Sequence, residues 1–309
     1  MQWSIVIFLG LSMVQGLAVP NLSKRIINGF LMPETLAPYV VRMVKQAGSQ
    51  LYICGGSIIS PNHIITAAHC VVNGENAVLP PANLTVGYGS DDINNQKFVT
   101  GASVYVHPEY IQNKVRQSRN DIAIIKIPTI QLDANTTKVP IYTGPVAPNQ
   151  KLMAMGWGLT NPGATMLSML RGVLRITGNI TDCLQFNQQY TTYDGPQICS
   201  LGKLTPGEST CSGDSGSSVV INSGGTIELA GINSVAVYKS SGSCGSSDSA
   251  HFYVRPAYHM SFITNSTGLS ISYLTDGKGI VDSTATNANG KAGHVATVTE
   301  TVIVTPTQA

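Results

Sequence analysis

The chain has 309 residues, of which 43% are hydrophobic and 11% charged, so it can bury a core and is too apolar for general disorder. A formal net charge of +2 gives no footing for nucleic acid or an anionic membrane as partner. With 31 glycines and 16 prolines, turns are frequent, which favours many short strands over long helices.

Residues 1–18 read as a signal peptide with a charge-poor start, an apolar run over 5–17 and a small-residue site at Gly16-Leu17-Ala18. The run is too short for an anchoring helix and no later stretch could span a bilayer, so export without membrane insertion is expected. Residues 19–25 form a short polar piece ending in Lys24-Arg25, and Ile26-Ile27-Asn28-Gly29 opens the body. From there to about Ile263, β-type runs alternate with turn signals. They lie at 51–53, 57–59, 64–66, 84–88, 103–106, 122–127, 151–155, 174–177, 218–222 and 229–233. This rhythm predicts an all-β barrel or sandwich. Short helices are expected at 181–186, with Thr181 as cap, and at 256–263, with proline in its first turn. Residues 265–309 shift to Ser, Thr, Gly, Asn and Ala and read as a disordered or O-glycosylated tail. The alternation of Val/Ile with Thr/Glu over 295–305 leaves it an unstructured terminus.

In an oxidising compartment, six cysteines point to three disulfides, with the pairing left open by the count. The spacing gives no Cys-x-x-Cys pair and no His-Glu-x-x-His run, so no metal site is expected. Sequons at Asn83, Asn135 and Asn179 fit glycosylated surface loops; those at Asn21 and Asn265 fall outside the body, taken as residues 26–264.

Three local motifs carry chemistry: Thr66-Ala67-Ala68-His69-Cys70, Asn120-Asp121-Ile122-Ala123-Ile124 and Cys211-Ser212-Gly213-Asp214-Ser215-Gly216. With Cys54-Gly55-Gly56-Ser57, His107-Pro108-Glu109-Tyr110 and Gly156-Trp157-Gly158 between and before them, the stretch from Ile26 to about Ile263 resembles the chymotrypsin-like serine peptidases. The resemblance implies two six-stranded antiparallel β-barrels, a short C-terminal helix and a cleft between the barrels. It implies peptide-bond hydrolysis through an acyl-enzyme without a cofactor, acting on protein or peptide substrates, by a monomer. A serine hydroxyl needs a base within hydrogen-bond reach to act as a nucleophile at neutral pH. Ser215 takes that role by resemblance, His69 is the base, and Asp121 fixes the imidazole tautomer and stabilises its cation, supported by Ser234. The backbone N–H groups of Gly213 and Ser215 match the oxyanion donors.

The same resemblance gives Arg25 and Ile26 a role. Cleavage after Arg25 by an activating protease would free the Ile26 ammonium to pair with Asp214 and hold the oxyanion loop. It also selects the pairs Cys54–Cys70, Cys183–Cys199 and Cys211–Cys244. Around the substrate pocket the match thins. The pocket-base aspartate of trypsin-like members, six residues before the nucleophile, is here Ser209, which argues against a Lys or Arg substrate side chain. The family's Ser-Trp-Gly is replaced by Ser234-Val235-Ala236, and His251 stands where a pocket-opening glycine is usual. A narrowed pocket for small or medium apolar side chains is the favoured expectation. The alternative is an acidic residue hydrogen-bonded by His251, Thr210 and Ser209. Asp91-Asp92 read as a solvated turn, and His63 and His107 as surface turn residues. The rival from another class is an inactive relative serving as a binding or adhesion module, although no triad position is lost.

Overall fold

The computed structural model of the protein describes residues 29–32, 36–111, 119–159, 168–239 and 242–278. The expected signal peptide, the piece carrying Arg25 and Ile26, the Asn21 sequon and the tail beyond 278 lie outside these residues.

Among the described residues, fourteen strands form two antiparallel sheets. In the first half are β2 (Val40–Ala47), β3 (Gln50–Ser60), β4 (His63–Thr66), β5 (Leu84–Tyr88), β6 (Lys97–Thr100), β7 (Ser103–Val106) and β8 (Ala123–Lys126), ordered β6-β5-β2-β3-β4-β8-β7. The second sheet takes β1 (Phe30–Leu31) and then β9 (Lys151–Gly156), β10 (Arg171–Ile176), β11 (Gln197–Leu201), β12 (Ser218–Ser223), β13 (Thr226–Tyr238) and β14 (Ser249–Val254), ordered β1-β10-β9-β12-β13-β14-β11.

Each sheet curls into the expected six-stranded barrel, with one element more than expected for a local reason. β6 and β7 are two halves of one bent strand. Gly101 N–H, between them, donates back to Leu84 O beside β5, while Ala102 N–H donates to Lys126 O on β8. The bend therefore joins both ends of its sheet. In the second half, β10 and β11 meet through the Thr177–Ser200 bridge, and β1 is a two-residue addition to the outer side of β10.

The strands form where β-branched residues alternate or run continuously. β4 and β8 pair Ile64 with Ile125 and Ile65 with Ile124, all four without exposure. The expected runs at 51–53 and 57–59 are one eleven-residue strand, because Cys54-Gly55-Gly56 continues the ladder with β2. The expected runs do not include β1, β2, β6, β11 or β14; β11 and β14 are buried on both faces and lack a period-two signature.

One core cluster fills the first barrel and continues through Trp157, Leu229 and Val254 to the C-terminal helix, and a second fills the other barrel around Leu152, Val173, Val219 and Tyr253. A third lies beneath α1 (Ile180–Leu184), around the Cys183–Cys199 disulfide, Tyr190 and Phe252. α1 starts one residue earlier than expected, and its cap is Asn179, whose Oδ1 accepts from Asp182 N–H at 2.8 Å, not Thr181. Asparagine is the better cap because its short amide reaches the third amide of the turn.

The C-terminal boundary is also corrected. After a short turn at Pro256–His259, α2 runs Met260–Thr267 and closes on Gly268 at φ +72°; α3 follows at Ile271–Leu274. Residues 265–278 are thus not a disordered tail. Leu274 is 1% exposed in the first core cluster, its carbonyl accepts from Ile141 N–H at 2.7 Å, and Lys278 pairs with Glu228 at 2.9 Å. The polar composition hid one leucine that fills a core gap. No described helix is long and apolar enough to cross a membrane.

Candidate active site

His69 sits in a single helical turn, Ala68–Cys70, directly after β4. Two ties hold that turn. The Cys54–Cys70 disulfide fastens it to β3, and Lys45 Nζ on β2 donates to both His69 O and Val72 O at 2.8 Å. Asp121 precedes β8, where Asn120 takes φ +50° and anchors its side chain on Glu109 O at 3.0 Å. That left-handed residue, of a type that tolerates the conformation, turns the aspartate inward.

The Asp121 carboxylate receives three donors. His69 N–H reaches Oδ1 at 2.9 Å, and His69 Nδ1 and Ser234 Oγ reach Oδ2 at 2.8 and 2.6 Å. Burial pushes the Asp121 pKa up, but the attraction of His69 and the hydrogen bonds from His69 and Ser234 outweigh it and hold the carboxyl below its ordinary value. With Nδ1–H donating to a carboxylate, the other ring nitrogen is left as acceptor. The Asp121 side chain is 1% exposed and that of His69 24%, so the base is reachable while its partner is sealed. Among the described residues, no hydrogen bond engages the Nε2 side of the ring.

Ser234 owes its position to a bulge. Asn233 pairs with Tyr253 and Val235 with Phe252, so Ser234 is the extra residue that turns its hydroxyl toward the first barrel. The pairing of β13 with β12 stops at Ile232, leaving Ser234, Val235 and Ala236 as an open edge.

Ser215 lies in the tight turn before β12. Gly213 at φ +96° and Gly216 at φ +78° adopt conformations that disfavour a side chain. A Cβ on Gly216 would lie 2.3 Å from Thr66 Oγ1 and 2.5 Å from Gly55 O, so its absence lets the barrels meet there. Gly55 N–H donates to Ser215 O at 2.7 Å across that contact. Asp214 and Gly216 amides have acceptors in Cys211 O and Asn233 O, whereas the amides of Gly213 and Ser215 have no backbone acceptor among the described residues.

Asp214 is fully buried. Its carboxylate accepts from Gly158 N–H and Cys211 N–H at 2.8 Å each and makes no ion pair among the described residues. Burial raises its pKa to about 7, against the lowering by those two amides. The third disulfide, Cys211–Cys244, joins the walls of a cavity of about 240 Å³ that Ser215, Ser234, Val235, Ala236, Thr210 and His251 line. Ser209, 1% exposed, lies behind it and contacts His251 Nε2 at 3.2 Å; Thr210 Oγ1 contacts Nδ1 of the same ring at 3.2 Å.

Three expectations about single side chains are corrected. His63 is 5% exposed at the start of β4, with Nδ1 on Ser60 Oγ at 2.8 Å; strand pairing, not a turn, places it. His107 packs its ring against His259 and Phe262 of the C-terminal segment, with centroids 5.1 and 5.0 Å apart. Asp91 is buried beside Trp157, whose Nε1 donates to Asp91 O at 2.8 Å, while Asp92 caps the next turn. Of the sequons, Asn135, Asn179 and Asn265 are exposed and Asn83 partly so. Cys54, His69 and Cys70 lie close enough to suggest a metal site, but both sulfurs are spent in the disulfide, leaving imidazole as the sole ligand.

Sequence reasoning passed over Lys45 and Arg175. The signal for Arg175 was present: it follows Val173 by two residues in a strand whose alternation turns that face inward.

Comparison with known proteins follows the same residues. The trypsin family model matches residues 26–263, which takes in both barrels and α2 up to Ile263. A trypsin of Xenopus laevis is 30% identical over 199 residues, covering 64% of this chain and 76% of the relative. Trypsin alpha-4 of Lucilia cuprina is 31% identical over 71% of this chain and 80% of its own, and serine protease 1 of Drosophila melanogaster 28% over 82% and 89%. The match spans the whole frame on which the His69, Asp121 and Ser215 segments converge, and the chain therefore belongs to the trypsin family and is a serine-type endopeptidase.

Proposed function

We propose that His69, Asp121 and Ser215 carry the hydrolysis, in a secreted enzyme activated by cleavage after Arg25 and selective against Lys and Arg substrate side chains. The observation that supports this reading best is the buried Asp121 carboxylate bound to His69 Nδ1, which leaves Nε2 as a base facing the cleft. Nε2 takes the Ser215 hydroxyl proton as Oγ attacks the substrate carbonyl. The resulting oxyanion is received by the free amides of Gly213 and Ser215. His69 then gives its proton to the departing amine, leaving an acyl group on Ser215 Oγ; water, deprotonated by His69, releases the acid. No hydrogen bond joins Ser215 Oγ to His69 among the described residues; free enzymes often leave this bond unmade or long and tighten it around substrate.

The open edge of β13 at Ser234–Ala236 receives the substrate backbone as an added strand. The pocket beyond it has Ser209 at its base, so a substrate cation would be buried there without a carboxylate. Activation fits the state of Asp214: a buried carboxylate with two amide donors and, among the described residues, no cation is completed by a new ammonium at Ile26. Export, glycosylation at Asn83, Asn135 and Asn179, and action as a monomer complete the reading, with protein substrates and the activating protease as partners.

A fluorophosphonate probe tests the assignment. Chain starting at Ile26 labels on Ser215 and cleaves peptides, and Ser215→Ala does neither. A cleaved, folded chain that fails to label points instead to a binding module.

A further inference from the structure

A charge that the catalytic groups do not use lies behind the pocket. Arg175 on β10 has no exposed surface. Its Nε donates to Ser200 Oγ at 3.3 Å and its Nη1 to Glu208 O, while Nη2 is buried without a partner. It forms no ion pair among the described residues, although Lys97, Lys138, Lys203, Arg255 and Lys278 all do. Among the described residues it is thus a buried cation with no carboxylate partner, held by two neutral oxygen acceptors.

Its two contacts place it under the pocket floor. Glu208, whose carbonyl it holds, immediately precedes Ser209. Ser200, whose hydroxyl it holds, is the cross-strand partner of His251. Above it, Ser209 Oγ and Thr210 Oγ1 grip the two ring nitrogens of His251 at 3.2 Å each. Thr210 and His251 line the cavity, and no Asp or Glu does. Burial, and then the charge of Arg175, hold the His251 pKa well below its ordinary value, so the ring is neutral and the fixed charge of the floor is the arginine's.

We propose that the pocket takes a carboxylate side chain, the Glu or Asp on the acyl side of the cut bond, and that Arg175 is the positioning residue that sets this preference. The proposal rests on the endopeptidase reading above, and it replaces the apolar preference expected from sequence. With His251 protonated at Nδ1, that N–H donates to Thr210 Oγ1, and the Thr210 hydroxyl turns from its long contact with Asn233 Oδ1 at 3.4 Å to donate to a carboxylate in the cavity. Nε2 then accepts from Ser209 Oγ, whose proton has a second acceptor in Thr210 O at 2.6 Å. The relay presents one neutral donor to the carboxylate, and the burial of Ser200, Ser209 and His251 lets the Arg175 charge act through the floor with little screening by solvent.

The test is a peptide series identical except at that side chain: Glu, Asp, Gln, Leu, Ala and Lys, cleaved by chain starting at Ile26. Glu or Asp is expected to exceed Gln in kcat/KM by about tenfold or more, the worth of a hydrogen bond to a charge over one to a neutral amide. Arg175→Met should bring the Glu/Gln ratio near one, and Arg175→Lys, which keeps the charge, should restore part of it. Thr210→Val provides the same reading if Arg175→Met does not fold, lowering Glu cleavage more than Ala cleavage. A structural role alone would lower all substrates together and leave the ratio unmoved. Fluorophosphonate labelling accompanied by Leu, Ala or Gln cleavage as fast as Glu overturns the pocket proposal alone; absence of labelling overturns the endopeptidase reading beneath it.

Discussion

Asp121 must stay ionised in a place closed to water, and Ser234 supplies one of the three hydrogen bonds that keep it so. Removing a hydrogen bond to a buried charge costs about 1.5–3 kcal/mol. Ser234→Ala is therefore expected to lower kcat by roughly ten- to a hundredfold with an unchanged fold. Peptide kinetics beside a circular dichroism melt measure it, and a full-rate variant would remove Ser234 from the triad's support. Gly216 is the other residue on which the site turns. At φ +78°, with Thr66 Oγ1 and Gly55 O in the space of any Cβ, Gly216→Ala should destabilise by more than about 1 kcal/mol and abolish labelling of Ser215. Denaturant midpoints and probe labelling report the two effects separately.

At the scale of elements, β13 does two jobs because of its bulge. Upstream of Ser234 it is an interior strand between β12 and β14; downstream its β12-facing side is bare. The same strand thus closes a barrel and leaves an open edge, the one proposed above to receive substrate. The C-terminal α3 works differently, through one side chain. Leu274, 1% exposed, seals the first core cluster, and Leu274→Ala should cost about 2–5 kcal/mol. Urea unfolding is the measurement. Labelling of Ser215 at low denaturant should persist, since α3 makes no contact with the triad among the hydrogen bonds described.

Across the whole molecule, polar contacts tie the two barrels at several points: Gly55 N–H to Ser215 O, Ser57 Oγ with Ser218 Oγ at 2.5 Å, Ser234 Oγ to Asp121 Oδ2 at 2.6 Å and Trp157 Nε1 to Asp91 O at 2.8 Å. The state of Asp214 provides a test of the proposed activation through stability. Its pKa, raised to about 7 in the fold described, exceeds the ordinary carboxylate value of 3.8, so the folded chain binds more protons than the unfolded one between those limits. Stability of uncut Arg25→Gln chain is then expected to fall as pH rises through that window. In cleaved chain, an Ile26 ammonium on Asp214 lowers that pKa and removes the slope. Melting both forms at several pH values between the two limits checks this; equal slopes would separate Asp214 from activation. The uncut chain should also hydrolyse peptides far more slowly than the cleaved one.

Short runs of β-branched residues fixed most strands of the fold in advance, since alternation along a half-buried strand is a local property. β11 and β14 escaped because burial on both faces erases that alternation. The motifs around His69, Asp121 and Ser215 were legible because the neighbours in each shape its own turn, and the structure joins His69 and Ser234 to Asp121. What only the tertiary structure decided depends on partners distant in sequence. Leu274 is a core residue because the first barrel leaves a gap for it, not because its polar surroundings announce it. Arg175 lies behind the pocket because strand pairing places Ser200 opposite His251, and the chain before Ser209 passes over the guanidinium. Composition and spacing carry no information about such a charge, because its consequence is set by what folding withholds from it: a carboxylate, and water.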